Sequence, residues 1–170
     1  MATWVPVTNR LGIQAITETS TTQQMPLGTV ITAEDKDTSG QGMGEFIYLL
    51  GVAGTVVGHM VTYNATTFQT AVSTNTANAV NPIAIAMSDN VAAQYGWYQI
   101  GGYAIVKKAA VIVLAQVALY QSSTTGRVTS TAASGKQILG MRSANLASVV
   151  SATSTVAVMI DRPGKQGQVI

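Results

Sequence analysis

The chain of 170 residues contains no cysteine and a single histidine, His59. Without cysteine there is no disulfide or thiolate chemistry, and one histidine excludes a metal site built from several histidines. His59 is one possible general base for a hydroxyl nucleophile, but its stretch GTVVGHMVTYN is a strand pattern without an acidic residue. We therefore expect a structural histidine, no catalytic residue and no enzymatic activity.

Formal charge is also scarce, because only 9% of the residues are charged, against about a quarter in ordinary globular domains. Between Phe46 and Val106 the only formal charge is Asp89. The basic residues are scattered, which does not indicate a nucleic-acid partner. A surface so poor in charge favours extensive contact with another protein.

Long hydrophobic runs are missing, although 47% of the residues are hydrophobic. The run from Ala109 to Tyr120 is shorter than the roughly 20 residues that a membrane-spanning helix needs, and Lys107 and Lys108 precede it. The N-terminal stretch MATWVPVTNRLGIQAITETSTTQQ has no basic segment followed by an apolar core, so we expect no signal peptide and no membrane partner.

The remaining pattern predicts β-strands. The run after Lys108 is rich in β-branched valine and isoleucine, which pack well on a pleated surface. From Glu45 onward, strand-like units such as EFIYLLG, PIAIAMS, GWYQIGGYAIVKK and STVAVMID follow one another at short spacing. Only DNVAAQY and ANLASVV have room for a turn of helix. The chain is therefore predicted to be all-β, a small antiparallel β-barrel or sandwich.

A hairpin is predicted near the middle of this pattern. Residues Val117 to Gln121 and Arg127 to Thr131 are separated by SSTTG, in which Gly126 can adopt a positive φ. Lys107 and Lys108 are expected to mark an exposed strand end or edge, where a solvated charge discourages edge-to-edge pairing.

One acidic stretch, DKDTSGQGMGEF, resembles the first half of a calcium loop, with Asp35, Asp37 and Ser39 at alternate positions. Phe46 stands where the bidentate glutamate belongs, so an acidic turn is favoured and calcium remains a minor alternative. The glycines of GQGMG and GVAGTVVG precede no Gly-Lys-Ser/Thr. No metal and no cofactor are expected.

The aromatic residues concentrate in YGWY and at Tyr103. Exposed rings of this kind stack on sugars or bases, but rings within a strand more often pack in a core or a subunit contact. Both interpretations of Tyr95, Trp97, Tyr98 and Tyr103 stay open at this point.

The first 24 residues are polar, and TWVPV is their only apolar patch. We predict an extended N-terminal arm over residues 1–24 and a β-barrel or sandwich body over residues 25–170. The proline-stiffened patch suits strand addition to a sheet edge. We expect the arm to be mobile in the free protein and ordered on a partner, with Trp4 as its main anchor.

Four stretches carry a resemblance to a known family: GTVVGHMVTYNATTFQTAV, NPIAIAMSDNVAAQYGWYQIGGYAIVKKAA, VALYQSSTTGRVTST and QILGMRSANLASVVSATSTVAVMIDRP. In this order, residues 51–163 resemble the head-decoration, or capsid cement, proteins of tailed bacteriophages. The chain departs from the family pattern at Gln116-Val117, where the family tends to a Gly-Asp turn.

The resemblance implies a non-enzymatic virion protein that binds the outer surface of an assembled capsid, often as a homotrimer, and stabilises it. Its partner would be the major capsid protein, and it would be made in the host cytoplasm. The capsid contacts would be Trp4, Val5, Val7 and Arg10 of the arm. The alternative is a glycan-binding or host-attachment β-domain that uses the aromatic residues, and a hydrolase centred on His59 is the least favoured class.

Overall fold

The computed structural model describes residues 3–7, 12–37, 40–90 and 92–168, and all regular elements among them are β-strands. The all-β prediction is confirmed, and neither segment with room for a helical turn forms a helix in its described residues. No described segment forms a helix of the length and apolarity needed to cross a membrane. The twelve strands are β1 (Trp4–Pro6), β2 (Thr19–Ser20), β3 (Val30–Asp35), β4 (Met43–Leu50), β5 (Met60–Tyr63), β6 (Thr70–Val72), β7 (Ile83–Ala86), β8 (Tyr95–Lys107), β9 (Ala118–Gln121), β10 (Val128–Thr129), β11 (Gln137–Ser143) and β12 (Thr155–Lys165).

The strands pair antiparallel in the order β1-β3-β4-β8-β12-β11-β9-β10. Strands β2 and β7 also pair with β8, β5 pairs with β7, and β6 pairs with β5. The 13-residue strand β8 is therefore the centre of the sheet. Its first half pairs with β4 and its second half with β12, so β8 connects two parts of the fold.

The change of partner on β8 occurs at two glycines. Gly101 and Gly102 pair with both β4 and β12, and the register on β4 shifts between Glu45 and Phe46. Gly102 has φ +93°, and a Cβ there would lie 2.3 Å from the Met43 carbonyl oxygen. Only glycine accommodates both this backbone conformation and this close approach.

Both faces of β4 and β8 are buried. Phe46, Tyr48 and Trp97 face one core cluster, whereas Ile47 and Tyr98 face another. The first cluster is covered by residues 13–27, and the second is covered by β5 and β7. A third cluster lies between β7, the second half of β8, β11 and β12. Burial on both faces explains why β4 reads as a continuous apolar run.

The N-terminal residues differ from the prediction of a separate arm. Ile16 is 2% exposed and Trp4 is 7% exposed, and both belong to the first core cluster. Strand β2 pairs with β8 through Thr19 and Ser20. Residues 3–7 and 13–20 therefore lie against the body, while residues 21–24 are exposed. Isolated apolar residues in a polar stretch can fill a core when the sheet offers one uncovered face.

The hairpin predicted over residues 117–131 is confirmed, but one of the two lysines before it is not solvated as predicted. Val128 pairs with Gln121 across β9 and β10, and Gln116, before this hairpin, has the turn-forming φ of 55°. Lys107 is half-buried, but Lys108 is fully buried, which corrects the expectation of a solvated lysine pair.

Candidate interaction surfaces

The four residues expected to contact a capsid have different positions. Trp4 packs in the core of its own chain, so its ring is not available to a partner in this arrangement. Val5 and Val7 are 40% and 56% exposed on the outer side of β1. Arg10 lies outside the described residues.

Strand β1 is a poor template for strand addition. The Val7 amide donates to the Thr32 carbonyl and the Thr3 carbonyl accepts from the Lys36 amide, so residues 3, 5 and 7 point their backbone groups toward β3. Residues 4 and 6 then face the free edge, and Pro6 has no N–H to donate. A proline at this position is the usual protection of an edge strand.

The carboxylate of Asp35 holds the N-terminal strand and the acidic turn together. Its Oδ1 accepts from the backbone amides of Thr3 and Asp37, and its Oδ2 accepts from the backbone amide of Gln41. The described residues contain no group of three or more histidine, cysteine, aspartate or glutamate side chains arranged for a metal ion. The three hydrogen bonds to the Asp35 carboxylate support the acidic-turn interpretation. Ser39, the third residue of the calcium-loop pattern, lies outside the described residues.

The aromatic residues do not form one exposed platform. Trp97 and Tyr98 are 0% and 1% exposed and belong to core clusters on opposite faces of β8. The Trp97 Nε1 donates to the Gln14 carbonyl at 2.9 Å, and the Tyr98 hydroxyl accepts from Asn90 Nδ2 at 2.6 Å. Two of the four rings proposed for glycan stacking are therefore structural, and Tyr95 also packs against the first core cluster.

His59 is half-buried beside the β9–β10 turn. Its Nδ1 accepts a hydrogen bond of 3.4 Å from the Val56 amide. Burial lowers the pKa of His59, the charges of Lys107 and Arg127 lower it further, and Asp89 opposes them. The Asp89 Oδ1 itself accepts from the Val57 amide. The two hydrogen bonds therefore fix the backbone of residues 56–59. Among the described residues, no hydroxyl nucleophile is hydrogen-bonded to His59.

A cluster of exposed apolar side chains on two loops was not predicted from the sequence. We define the loop pair as residues 109–117 and 144–154, which are joined by reciprocal hydrogen bonds between the backbones of Val113 and Val149. Val113 is buried and Val149 packs against the core. Side chains alternate along this short antiparallel contact, so the adjacent residues face outward: Ile112 is 58%, Leu114 57% and Val150 58% exposed. Leu146, in the bend before Val149, is 98% exposed.

Two side chains from the body and one from the loop pair itself hold the backbone of the loop pair. Ser130 Oγ donates to the Ile112 carbonyl at 2.7 Å, and Ser143 Oγ donates to the Leu114 carbonyl at 2.9 Å. Asn145 Nδ2 donates to the Val113 carbonyl at 3.3 Å. The exposed apolar side chains are thus presented on a preorganised backbone, which lowers the entropic cost of binding a partner.

Lys108 belongs to the same support. Its Nζ donates to the carbonyls of Val111 at 2.8 Å and Ala109 at 3.2 Å. Burial lowers the pKa of Lys108. The lysine therefore holds the backbone of residues 109–111 in the first loop of the pair. This role explains why the side chain is buried at the end of a strand.

The loop pair is also free of formal charge over a long stretch of sequence. Residues 109–126 and 143–160 contain no aspartate, glutamate, lysine, arginine or histidine. The centres of protein–protein interfaces are depleted of charge in the same way. The signal was present in the sequence, but only the Val113–Val149 contact brings the two uncharged segments together.

No family model matches this chain, and no curated protein matches it. Its function is therefore inferred from the surfaces described above.

Proposed function

We propose that this chain is a structural virion protein that binds the outer surface of an assembled phage capsid and stabilises the shell. The loop pair carries the proposal, because an exposed, uncharged and backbone-braced apolar surface suits a protein partner. The sequence resemblance to capsid decoration proteins supplies the class of that partner, the major capsid protein. The chain acts without catalysis in this role.

The loop pair replaces Trp4 as the main anchor. Leu146 has almost no contact with its own chain, since it is 98% exposed. Burying such a side chain in a partner releases apolar surface from water without loss of an existing contact. Val5 and Val7 of β1 provide a second, smaller contact in this proposal.

The glycan-binding alternative based on Tyr95, Trp97, Tyr98 and Tyr103 receives less support. Stacking on a sugar requires an exposed ring face, and the rings of Trp97 and Tyr98 are buried. Moving either ring outward would empty a core site, which is costly. We therefore retain shell binding as the proposed function.

A decisive experiment measures binding of the purified chain to expanded capsids that lack it, by co-sedimentation. The Leu146→Asp and Val150→Asp variants place a charge in the loop pair, and loss of a main interface contact of about 2 kcal/mol corresponds to roughly thirtyfold weaker binding. Val80→Asp is the matched control, since Val80 is 79% exposed outside the loop pair.

Unchanged binding of both loop variants would remove the loop pair from the mechanism. Failure of the unmodified chain to bind any expanded capsid would refute the proposed function itself. Thermal unfolding of each variant establishes that the body stays folded, because the substituted side chains are exposed.

We further propose that the chain acts as a homotrimer, because repeated weak contacts on a shell gain strength through effective concentration. Sedimentation equilibrium over a range of concentrations tests this. A single monomeric species in solution and one isolated copy per binding position on the capsid would contradict the trimer.

A further inference from the structure

An apolar cavity adjoins the loop pair on the side of the β9–β10 hairpin. Its volume is about 270 Å³, its lining is mainly apolar, and Ala109 and Val111 of the loop pair form part of its wall. Thr129, Thr131 and Ala133 line it from the hairpin and the residues that follow. Cavities for drug-sized ligands usually measure roughly 300–1,000 Å³, so this smaller cavity suits one large side chain.

The cavity is continuous with the exposed side chains of the loop pair. Val111 lines the cavity, and the next residue, Ile112, is 58% exposed. Ser130 Oγ donates to the Ile112 carbonyl at 2.7 Å, and the Ala109 amide donates to the Val128 carbonyl at 2.8 Å. These bonds fix the first loop against the hairpin, so a partner that covers Ile112 also reaches the cavity.

The charge around the cavity is of one sign. Residues 90–160 contain five basic residues and no acidic residue. Lys136 contributes to the lining of the cavity. Arg127 lies next to it, because its carbonyl accepts from the amide of the lining residue Ser122 at 3.1 Å and its guanidinium donates to the Lys108 carbonyl at 3.3 Å. The cavity is therefore flanked by two cations.

Within the described residues, neither Lys136 nor Arg127 forms an ion pair. Asp89, the acid whose charge acts on the neighbouring His59, accepts a hydrogen bond from the Val57 amide. A carboxylate on a partner would thus meet two cations without breaking an existing ion pair. Complementary charge of this kind speeds association and selects the partner.

The apolar lining selects among anionic partners. Nucleic acid is bound chiefly through many contacts between basic side chains and phosphates, which leaves an apolar cavity unused. An acidic protein segment with an apolar side chain satisfies the cavity and the cations together. Apolar contacts at the centre and polar contacts at the rim are the usual anatomy of a protein–protein interface.

We propose that the cavity receives an apolar side chain of the major capsid protein, on a segment that also carries a carboxylate for Lys136 or Arg127. The inference rests on the proposed function and adds the chemistry of the capsid segment. That segment presents a leucine-sized or aromatic side chain with an aspartate or glutamate close to it.

The first test fills the cavity and measures co-sedimentation with expanded capsids. Thr131 lines the cavity and is exposed, so Thr131→Phe occupies the entrance without changing the core. We expect roughly tenfold weaker binding, the effect of losing one anchoring side chain. Thr66→Phe is the matched control, because Thr66 is exposed and outside the cavity. Thermal unfolding establishes that both variants stay folded.

The second test reverses the charge at the cavity. We expect Lys136→Glu to bind capsids about fivefold more weakly in about 0.05 M salt, and the difference to shrink in about 0.5 M salt because salt screens the charges. Lys36→Glu is the control, since it makes the same change of charge at an exposed lysine outside the cavity.

The outcomes separate this inference from the proposed function. If the unmodified chain does not bind capsids, both are refuted. If it binds and Thr131→Phe or Lys136→Glu binds equally well in low salt, the inference alone is overturned. Competition of duplex DNA with capsids for the unmodified chain, lost in Lys136→Glu, would assign the surface to nucleic acid and also overturn it.

Discussion

Trp4 packs edge-on against Phe46, with ring centroids 4.9 Å apart and ring planes at 69°. This contact joins the edge strand β1 to the central part of the sheet and closes one end of the first core cluster. Edge-to-face aromatic pairs add stability beyond the area they bury. Strand β1 is thus held by the Trp4 side chain as well as by its backbone hydrogen bonds to β3.

We expect Trp4→Ala to destabilise the folded chain, because truncating a buried tryptophan typically costs about 3–5 kcal/mol. Thermal and denaturant unfolding measure the change. Val5→Ala is the control, since Val5 is 40% exposed on the same strand and exposed substitutions usually change stability by about 0.5 kcal/mol or less. An unchanged melting temperature for Trp4→Ala would mean that the strand is detached in solution.

We expect Gly102→Ala to be strongly destabilising, because the new Cβ would lie 2.3 Å from the Met43 carbonyl oxygen. The strand junction must then shift, in addition to the strain of about 1 kcal/mol that a positive φ imposes on alanine. Gly54→Ala is a matched control, since Gly54 has φ +81° but open space where its Cβ would be. Equal losses of unfolding free energy in both variants would show that the close approach at Gly102 has no energetic weight.

We expect His59 to make the fold less stable in mild acid. Burial, followed by Lys107 and Arg127, lowers its pKa below the ordinary 6.5. Between the lowered pKa and 6.5 the unfolded chain binds more protons than the folded chain, so stability falls as the pH is lowered through this window. His59→Asn should lack that part of the fall, while its side-chain oxygen can still accept from the Val56 amide. Denaturant unfolding measures the free energy of unfolding of the unmodified protein and of His59→Asn against pH. The same fall in both proteins would count against His59 as its cause.

We expect Lys108 to make the free energy of unfolding depend on pH in the alkaline range. Burial lowers its pKa below the ordinary 10.5, so the unfolded chain binds more protons between the folded pKa and 10.5. The free energy of unfolding therefore gains a contribution as the pH rises through this window. Lys108→Met removes it, and the difference between the two proteins isolates Lys108 from Lys165, whose pKa is also lowered by burial. The matched variant Lys107→Met, at the half-buried neighbour, should keep the rise, and a rise that persists in Lys108→Met would refute the prediction.

The local pattern of the sequence determined the strand content and the hairpin. Alternating and β-branched residues favour extended backbone wherever they occur, and the β9–β10 connection needs only a short turn with Gly126. These signals act between near neighbours, so they are readable without the fold. The structural interpretation of His59 also followed from its strand pattern, and the hydrogen bond to the Val56 amide supports it.

Tertiary structure alone decided which side chains are covered. Trp4 and Ile16 occur in a polar stretch, and only the uncovered face of β3, β4 and β8 makes them core residues. Lys108 reads as a solvated charge, but its Nζ reaches carbonyls of a loop that folds over it. The loop pair arises because Val113 meets Val149, 36 residues later. Burial depends on contacts between residues far apart in sequence, and a local pattern contains no information about which distant segment will supply them.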